Sequence, residues 1–449
     1  MEHHALGGWA WAEAAKPPRG DSFTGSELTR QRRATNVDAV DTPSSCAVGL
    51  RCIACGAEHS LEYVLECRRC RGLLEPAYDL EPLRRLGPAR AFTRRGFWRY
   101  HPVLPIRDPA HFVTLGEGET PLLETPALAR TLGVRRLLLK FEGTNPTGTI
   151  KDRSSATAVA AARQFGFRAI SVVSTGNAGS SIGAYATRAG LRAFIFCYEQ
   201  ASAPKMHHMG AVASDLILYQ GYYDDVIRLW DRMVEALPVF DGGASRNAYK
   251  QEGKKTLAYE IAEQSGFQVP DVVVFPVAVG EAFISGWRGF REMQALGWID
   301  RLPLMVAAQS AKANPIALAF RSGGPLAPVK LSYTVAEGLA CGDPAAKGEW
   351  VLRILRESKG LAAEVEDDAI LETQRLLART EGLYAGPTGV GALAALRRLL
   401  AEGAVDPAQT ICCVISETGL KTDAPVISRQ GEAFTYDRLV ALVRERLAS

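Results

Sequence analysis

A lysine at the start of an alanine-rich stretch occupies a position where an amine could act as a nucleophile. The apolar run 135–141 predicts a strand, a turn containing Pro and Gly follows it, and Lys151 precedes the helical stretch 152–165. The positive end of a helix dipole disfavours the charge of a lysine in the first turn, and burial lowers the lysine pKa further. Lys151 would then present the neutral amine that attacks an aldehyde. Taken alone, the segment also fits a surface lysine beside a capping Asp152.

Three further predicted strands end in small or polar residues that could bind a ligand. Small residues let backbone amides approach an anion, and the start of a helix favours a carboxylate or a phosphate. Asn177 could lie beside an aromatic ring and hydrogen-bond a phenolic oxygen, and the hydroxyl of Ser416 could bond a pyridine nitrogen. The candidates are Ser174, Thr175, Gly176, Asn177 and Ala178 at and after the end of run 168–174, Val277, Ala278, Val279, Gly280, Glu281 and Ala282 at and after the end of run 271–277, and Ser416 at the end of run 410–416.

Four cysteines in two C-x2-C pairs form a separate candidate metal site. The ligands would be Cys52, Cys55, Cys67 and Cys70, with eleven residues between the pairs. Each pair can place two thiolates on one metal ion, and two pairs complete a tetrahedral site with no open position. This pattern predicts a structural zinc ribbon, and a ribbon fold without metal is the alternative. The chain has nine cysteines, an odd number, which indicates a reduced cytoplasmic protein and not a disulfide framework.

The elements that must position these residues follow an alternating pattern. From Leu115 onward, short apolar runs alternate with alanine-rich helical stretches, which predicts an α/β fold of two lobes with parallel sheets covered on both faces. Ligands of such sheets bind in the crevice at the carboxyl ends of the strands. All of the candidate residues outside the cysteine pairs lie at such ends or at helix starts.

Composition narrows the class of protein. The chain has 449 residues, 47% of them hydrophobic and 22% charged, as in ordinary globular proteins. A net charge of +3 gives no reason to expect nucleic acid or a membrane as a partner. The longest apolar runs are too short to span a bilayer, and the N-terminus has no apolar signal-peptide core, so we expect a cytoplasmic protein.

The motifs together resemble the threonine synthase branch of the fold-type II pyridoxal phosphate (PLP) enzymes, also called the tryptophan synthase β family. The resemblance covers roughly residues 50–425. The four-cysteine ribbon favours threonine synthase over serine/threonine dehydratases and cysteine synthases. The motifs, in the order of that family, include LGEGETPL (115–122), NPTGTIKDR (145–153), STGNAGSS (174–181), FPVAVGEAFISGWRGF (275–290) and SETGLK (416–421).

The resemblance implies roles for these residues. Lys151 would hold PLP as a Schiff base and later move the Cα proton, Asn177 would contact the PLP 3'-oxygen, and Ser416 would meet the pyridine nitrogen. The loop 277–282 would hold the PLP phosphate. The implied substrate-binding residues are Ser174, Thr175, Gly176, Ala178, Ser245 and Lys250.

The resemblance also implies a reaction and a domain plan. We expect a PLP-dependent lyase or synthase that acts on an activated amino acid, such as O-phosphohomoserine, by elimination and replacement through a PLP-stabilised carbanion. A structural zinc would be its second bound group, and a homodimer is one option for its assembly. The expected domains are a flexible lead-in (1–45), the zinc ribbon (46–80), a large PLP-binding domain (81–150 and 256–449) and a small α/β domain (151–255).

Departures from the family pattern cluster at substrate and cofactor contacts. Glu281 lies in a loop that is glycine-rich in relatives, Ala178 replaces threonine, and Glu417 stands where glycine is expected. Lys250 replaces an arginine that would clamp a substrate phosphate, with loss of bidentate geometry, and Ala244 replaces its neighbouring asparagine. The departures keep two alternatives open. One is β-replacement or β-elimination on a serine-like substrate in specialised metabolism, and the other is a catalytically inactive binding or regulatory protein.

Overall fold

The computed structural model describes residues 44–448, except 175, 200, 221–222, 245 and 423–434. The predicted lead-in therefore lies almost entirely outside the described residues, as do the predicted site residues Thr175 and Ser245. The strands are β1 (Ala47–Cys52), β2 (Glu58–His59), β3 (Leu74–Tyr78), β4 (Leu122–Glu124), β5 (Arg136–Phe141), β6 (Ala169–Val173), β7 (Arg192–Tyr198), β8 (Asp215–Tyr219), β9 (Phe240–Asp241), β10 (Val272–Pro276), β11 (Leu304–Ser310), β12 (Leu361–Val365) and β13 (Thr410–Ile415).

Helices alternate with most of these strands. They are α1 (Glu81–Leu86), α2 (Pro88–Ala91), α3 (Pro126–Leu132), α4 (Lys151–Gln164), α5 (Asn177–Arg188), α6 (Ala203–Val212), α7 (Tyr223–Ala236), α8 (Ala248–Glu252), α9 (Thr256–Gln264), α10 (Glu281–Ala295), α11 (Pro315–Ser322), α12 (Ala345–Glu357), α13 (Asp367–Glu381), α14 (Pro387–Ala401) and α15 (Tyr436–Ala448). Among the described residues, no helix is both long and apolar enough to cross a membrane.

Three sheets organise the described residues. The largest has six strands in the order β12-β11-β10-β13-β5-β4, and only its edge pair β4–β5 is antiparallel. A second sheet, β8-β7-β6-β9, is parallel throughout. The third, β2-β1-β3, is a small antiparallel sheet that carries the cysteine pairs. The predicted α/β fold with parallel sheets is confirmed.

The six-stranded sheet is buried on both of its faces. Along β13, for example, Cys412 and Val414 pack into one hydrophobic core, whereas Ile411 and Cys413 pack into another. Successive side chains of a strand point to opposite faces, so a strand between two cores is apolar at nearly every position, and a charged residue there, such as Lys140 of β5, must be paired. This requirement explains the continuous apolar runs of the sequence.

A buried ion network joins the elements around the start of α4. Arg153 is fully buried, and its guanidinium donates to Glu142 (Nε–Oε2, 2.7 Å) and to Glu260 (Nη2–Oε2, 2.7 Å). Lys140 of β5 donates to the same Glu260 oxygen (2.7 Å). Burial alone would raise the pKa of Glu260, but Arg153 and Lys140 outweigh that effect and hold it far below its usual value. The network therefore connects β5, α4 and α9. Its central residue, Arg153, lies two residues after Lys151.

We expect Arg153→Met to lower the free energy of unfolding by about 3–5 kcal/mol, because it leaves two buried carboxylates with too few partners. The matched control is Arg192→Met, since Arg192 pairs with Asp215 at the surface with 64% of its side chain exposed. The control should change the free energy of unfolding much less, because solvent screens an exposed ion pair. Urea unfolding of the two variants measures both values, and equal losses would contradict a special role for the network.

Candidate active site

Lys151 lies where three chain segments meet. It is the first residue of α4 and is half-buried. The turn before it is bonded to the end of β13, because the amide of Ile150 donates to the carbonyl of Ser416 (2.9 Å) and the amide of Thr418 donates to Gly148 (2.9 Å). Burial, and after it the charge of Lys254, lower the pKa of Lys151 to about 8. The amine is therefore closer to neutrality than an ordinary lysine, as its position predicted.

Three more lysines are buried close to Lys151. Lys250, Lys254 and Lys347 are each 4% exposed or less. They come from α8, the 3-10 turn 253–255 and α12 respectively. Burial lowers the pKa of Lys250 to about 7, and the charges of the neighbouring lysines contribute to the shift. We call these three residues the lysine cluster.

Glu281 is the anion that faces the lysine cluster. Its carboxylate accepts from Lys254 Nζ (2.6 Å) and from Lys347 Nζ (3.4 Å), and its side chain is almost fully buried. Burial alone would raise the pKa of Glu281, but the lysines outweigh it and hold the pKa well below its usual value. When all three lysines are protonated, their charge exceeds that of the one carboxylate that is hydrogen-bonded to the cluster. The cluster can therefore hold a further anion.

The loop 277–282 leads into α10 beside this cluster. The amide of Val277 is used within the sheet, where it donates to Ala308 (2.7 Å). Gly280 directly precedes the first residue of α10. Its φ is +99°, and a Cβ on Gly280 would collide with Val351. The first amides of a helix lack partners within the helix and point toward an anion. Ala278 and Val279 are half-buried, while Ala282 packs against the core.

The loop after β6 is held by its own serine. Ser174 Oγ accepts from the amides of Gly176 (3.1 Å) and Gly179 (2.9 Å). Gly176 lies against the aliphatic chain of Lys205, where a Cβ would not fit. Asn177 begins α5 beside this loop, and Ala178 is half-buried in the next position. The structure thus keeps Ser174, Gly176, Asn177 and Ala178 together at the end of one strand.

Glu417 is a second buried carboxylate at the site. It is 1% exposed and accepts from the side-chain amide of Asn177 and from the backbone amide of Thr388 (3.2 Å). The other amide atom of Asn177, Oδ1, is buried without a partner in the described residues, so this side chain can accept a further hydrogen bond. Ser416, one residue before Glu417, is buried at the end of β13.

Two residues beside Lys151 have structural roles. Asp152 accepts from the amide of Thr147 (2.6 Å) and from Ser181 Oγ (2.6 Å), so it fixes the turn before α4. Arg153 is not available to a substrate, because its guanidinium is fully buried in ion pairs with Glu142 and Glu260.

The cysteine pairs converge as their spacing predicted. The sulfur atoms of Cys52, Cys55, Cys67 and Cys70 all lie within 4.8 Å of one another. Two of the sulfur–sulfur distances are 3.5 Å (Cys52–Cys70) and 3.7 Å (Cys55–Cys67). A tetrahedral zinc site with bonds of about 2.3 Å has sulfur–sulfur edges of about 3.8 Å. The four thiols could therefore hold one zinc ion. All nine cysteines fall in the described residues, and none forms a disulfide.

Comparisons with known proteins show which family this chain belongs to. The family described as "Pyridoxal-phosphate dependent enzyme" matches residues 113–417. The threonine synthase of Methanocaldococcus jannaschii is 34% identical over 375 residues, which cover 83% of this chain and 92% of the relative. The threonine synthase of Methanosarcina acetivorans is 33% identical over 407 residues, covering 89% and 98%. The structure of maize serine racemase matches with a TM-score of 0.58 at 17% identity, over 74% of this chain and 93% of the other, which supports the fold.

Sulfate, whose charge stays constant between about pH 6 and pH 9, probes the charge of the lysines. We expect the cofactor-free protein to bind sulfate more weakly as the pH rises, because Lys250 and Lys151 lose their protons near pH values of about 7 and about 8. Calorimetric titration at several pH values measures this change. An affinity that stays constant from about pH 6 to about pH 9 would contradict these charge states.

Glu281→Gln separates two effects of the carboxylate. At low pH the variant should bind sulfate more tightly, because the competing anion is gone. Its affinity should also fall at a lower pH than in the parent protein, since Glu281 raises the pKa values of Lys250 and Lys151. Glu372→Gln, an exposed residue paired with Arg397, is the matched control and should leave the pH profile unchanged.

Proposed function

Because this chain belongs to the pyridoxal-phosphate dependent enzyme family, we propose that it is a synthase of threonine synthase type whose substrate is an activated amino acid with an anionic leaving group. The observation that carries the proposal is the lysine cluster beside Lys151. When Lys250, Lys254 and Lys347 are protonated, Glu281 neutralises only part of their charge, so the cluster can offer positive charge to a phosphate ester. The relatedness to threonine synthases over most of the chain supports the same substrate class.

The residues that would hold PLP fit its functional groups. The half-buried amine of Lys151 suits the aldehyde, Asn177 suits the 3'-oxygen, and Ser416 suits the pyridine nitrogen. The loop 277–282 and the start of α10 suit the phosphate. When bound, PLP supplies an electron sink that stabilises negative charge at the substrate Cα. Lys151 would accept and return the Cα proton, for which its lowered pKa of about 8 is well matched.

The remaining substrate contacts are assigned by position. Ser174, Gly176 and Ala178 lie in the loop that would receive the substrate carboxylate at the start of α5. Thr175 and Ser245, which we also propose for this role, lie outside the described residues. Lys250 would bind the leaving group in place of an arginine, as a point charge without a bidentate geometry.

One observation favours the second reaction, β-replacement or β-elimination on a serine-like substrate. Glu281 already accepts hydrogen bonds from Lys254 and Lys347, so two of the three lysines have an anionic partner before any substrate binds. A smaller anion, or a neutral leaving group, would then suffice for the site. The two reactions differ in product, because the first retains a four-carbon chain with a β-hydroxyl and the second gives a new β-substituent or a keto acid.

We further propose a structural zinc at Cys52, Cys55, Cys67 and Cys70. The sulfur–sulfur distances of 3.5 and 3.7 Å support it. The absence of a side chain at Gly72 also lets the backbone pass close to the sulfur atoms. A Cβ at Gly72 would lie 3.0 Å from Cys52 Sγ and 3.2 Å from Cys70 Sγ.

Substitution of Lys151 tests the cofactor assignment. We expect Lys151→Ala to lose the borohydride-sensitive absorbance of bound PLP together with all turnover, because no other lysine replaces its amine. Lys312→Ala, at an exposed lysine, is the matched control and should retain both. A Lys151→Ala protein that keeps a reducible chromophore would contradict the assignment.

Substrate profiling tests the reaction. We expect turnover of O-phosphohomoserine or another O-phosphorylated amino acid, identified by product analysis. Lys250→Ala should raise KM for such a substrate roughly tenfold or more, and Lys250→Arg should recover part of the loss, because a buried charge-assisted hydrogen bond contributes about 1.5–3 kcal/mol. Turnover confined to unphosphorylated serine-like substrates, with no effect of Lys250→Ala, would favour the second reaction.

A further inference from the structure

The ribbon contacts Asp241 and the helix α8, which carries Lys250. The hydroxyl of Tyr249 donates to the carbonyl of Glu62 (2.7 Å), and Tyr249 directly precedes Lys250. The hydroxyl of Tyr78 donates to Glu252 (2.7 Å), two residues after Lys250. Residues near both ends of the short helix α8 are therefore hydrogen-bonded to the ribbon (residues 46–80).

A third contact reaches Lys250 through the cap of α8. The amide of Asp241 donates to the hydroxyl of Tyr63 (2.9 Å). The carbonyl of Asp241 accepts from the side chain of Asn247, whose Oδ1 in turn accepts from the amide of Lys250 (3.0 Å). The ring of Tyr63 packs against Phe240, with centroids 4.8 Å apart.

The main body fixes the other side of α8. Ser285 Oγ donates to the carbonyl of Gln251 (3.0 Å), and Thr157 Oγ1 donates to the carbonyl of Lys250 (3.4 Å). The body holds the backbone of α8 and, through Arg288 and Lys255, also the carboxylate of Glu252. The ribbon adds hydrogen bonds with the side chains of Tyr249 and Glu252, on either side of Lys250.

The positions of the ribbon residues that make these contacts depend on the two cysteine pairs. Glu62 and Tyr63 lie in the segment between Cys55 and Cys67, where the only strand is the two-residue β2. A metal ion bound by both cysteine pairs would fix both ends of this segment. Without it, few backbone hydrogen bonds within the segment would define its conformation.

We infer that the ribbon positions Lys250 within the lysine cluster. Its effect passes through three positioning residues, which are Tyr249, Tyr78 and Tyr63. The inference rests on the proposed role of Lys250 and on the proposed metal. It assigns to the ribbon an effect on substrate affinity, whereas a purely structural ribbon would affect stability alone.

Hydroxyl-deletion variants of the holoenzyme test the inference. Tyr249→Phe keeps the ring, which packs against Phe165 at 5.0 Å, and removes only the bond to Glu62. We expect Tyr249→Phe and Tyr78→Phe each to weaken sulfate binding by roughly threefold to tenfold, the range that one buried hydrogen bond allows. KM for the substrate should rise by the same factor, with kcat and the cofactor absorbance unchanged.

The matched control is Tyr100→Phe. It removes a buried hydroxyl that donates to Glu263 (2.5 Å), away from both the ribbon and α8. The control should leave sulfate affinity unchanged at a comparable loss of thermal stability. Equal effects of all three variants on sulfate affinity, or no effect of any, would overturn the inference.

Removal of the metal gives an independent measurement. The holoenzyme is treated with a chelator, its zinc content is measured, and sulfate binding is titrated before and after zinc is restored. We expect weaker sulfate binding in the depleted protein and recovery with zinc. An unchanged sulfate affinity in protein shown to have lost its zinc would overturn the inference. Sulfate binding needs no turnover, so this result is separate from the failure of the proposed reaction.

Discussion

The burial of Arg153 between two carboxylates constrains the geometry of the whole site. A guanidinium without water must be paired, and its partners Glu142 and Glu260 come from the segment after β5 and from α9. Because Arg153 lies two residues after Lys151, the same ion pairs fix the start of α4 against both elements. The lysine that we propose to bind the cofactor is therefore placed by charge pairing as well as by hydrophobic packing.

Local sequence patterns predicted the elements and the strand ends well. Helix α4 begins at Lys151 and α10 begins at Glu281, at or within a few residues of the predicted helical stretches. Continuous apolar runs predicted the parallel strands, because a strand between two cores needs apolar residues at nearly every position. The spacing of the cysteine pairs likewise sufficed to predict that four sulfur atoms converge. Each of these signals comes from residues that are close to one another in the chain.

Pairings between distant segments could not be predicted in this way. Lys254 and Lys347 were missed as site residues because a lysine in a helical stretch resembles a solvated surface residue. Only the fold brings them to Glu281, from 27 and 66 residues away. The unusual Glu281 was the available signal, since a carboxylate at a site for anions requires a cation nearby. The bond between Glu417 and Asn177 spans 240 residues and was also missed.

The ion pair between Glu281 and Lys254 also constrains how this protein can have diverged. Either residue without the other leaves an uncompensated charge in a buried site, at a cost of several kcal/mol. The two residues are therefore energetically coupled, and the effects of replacing them are not additive.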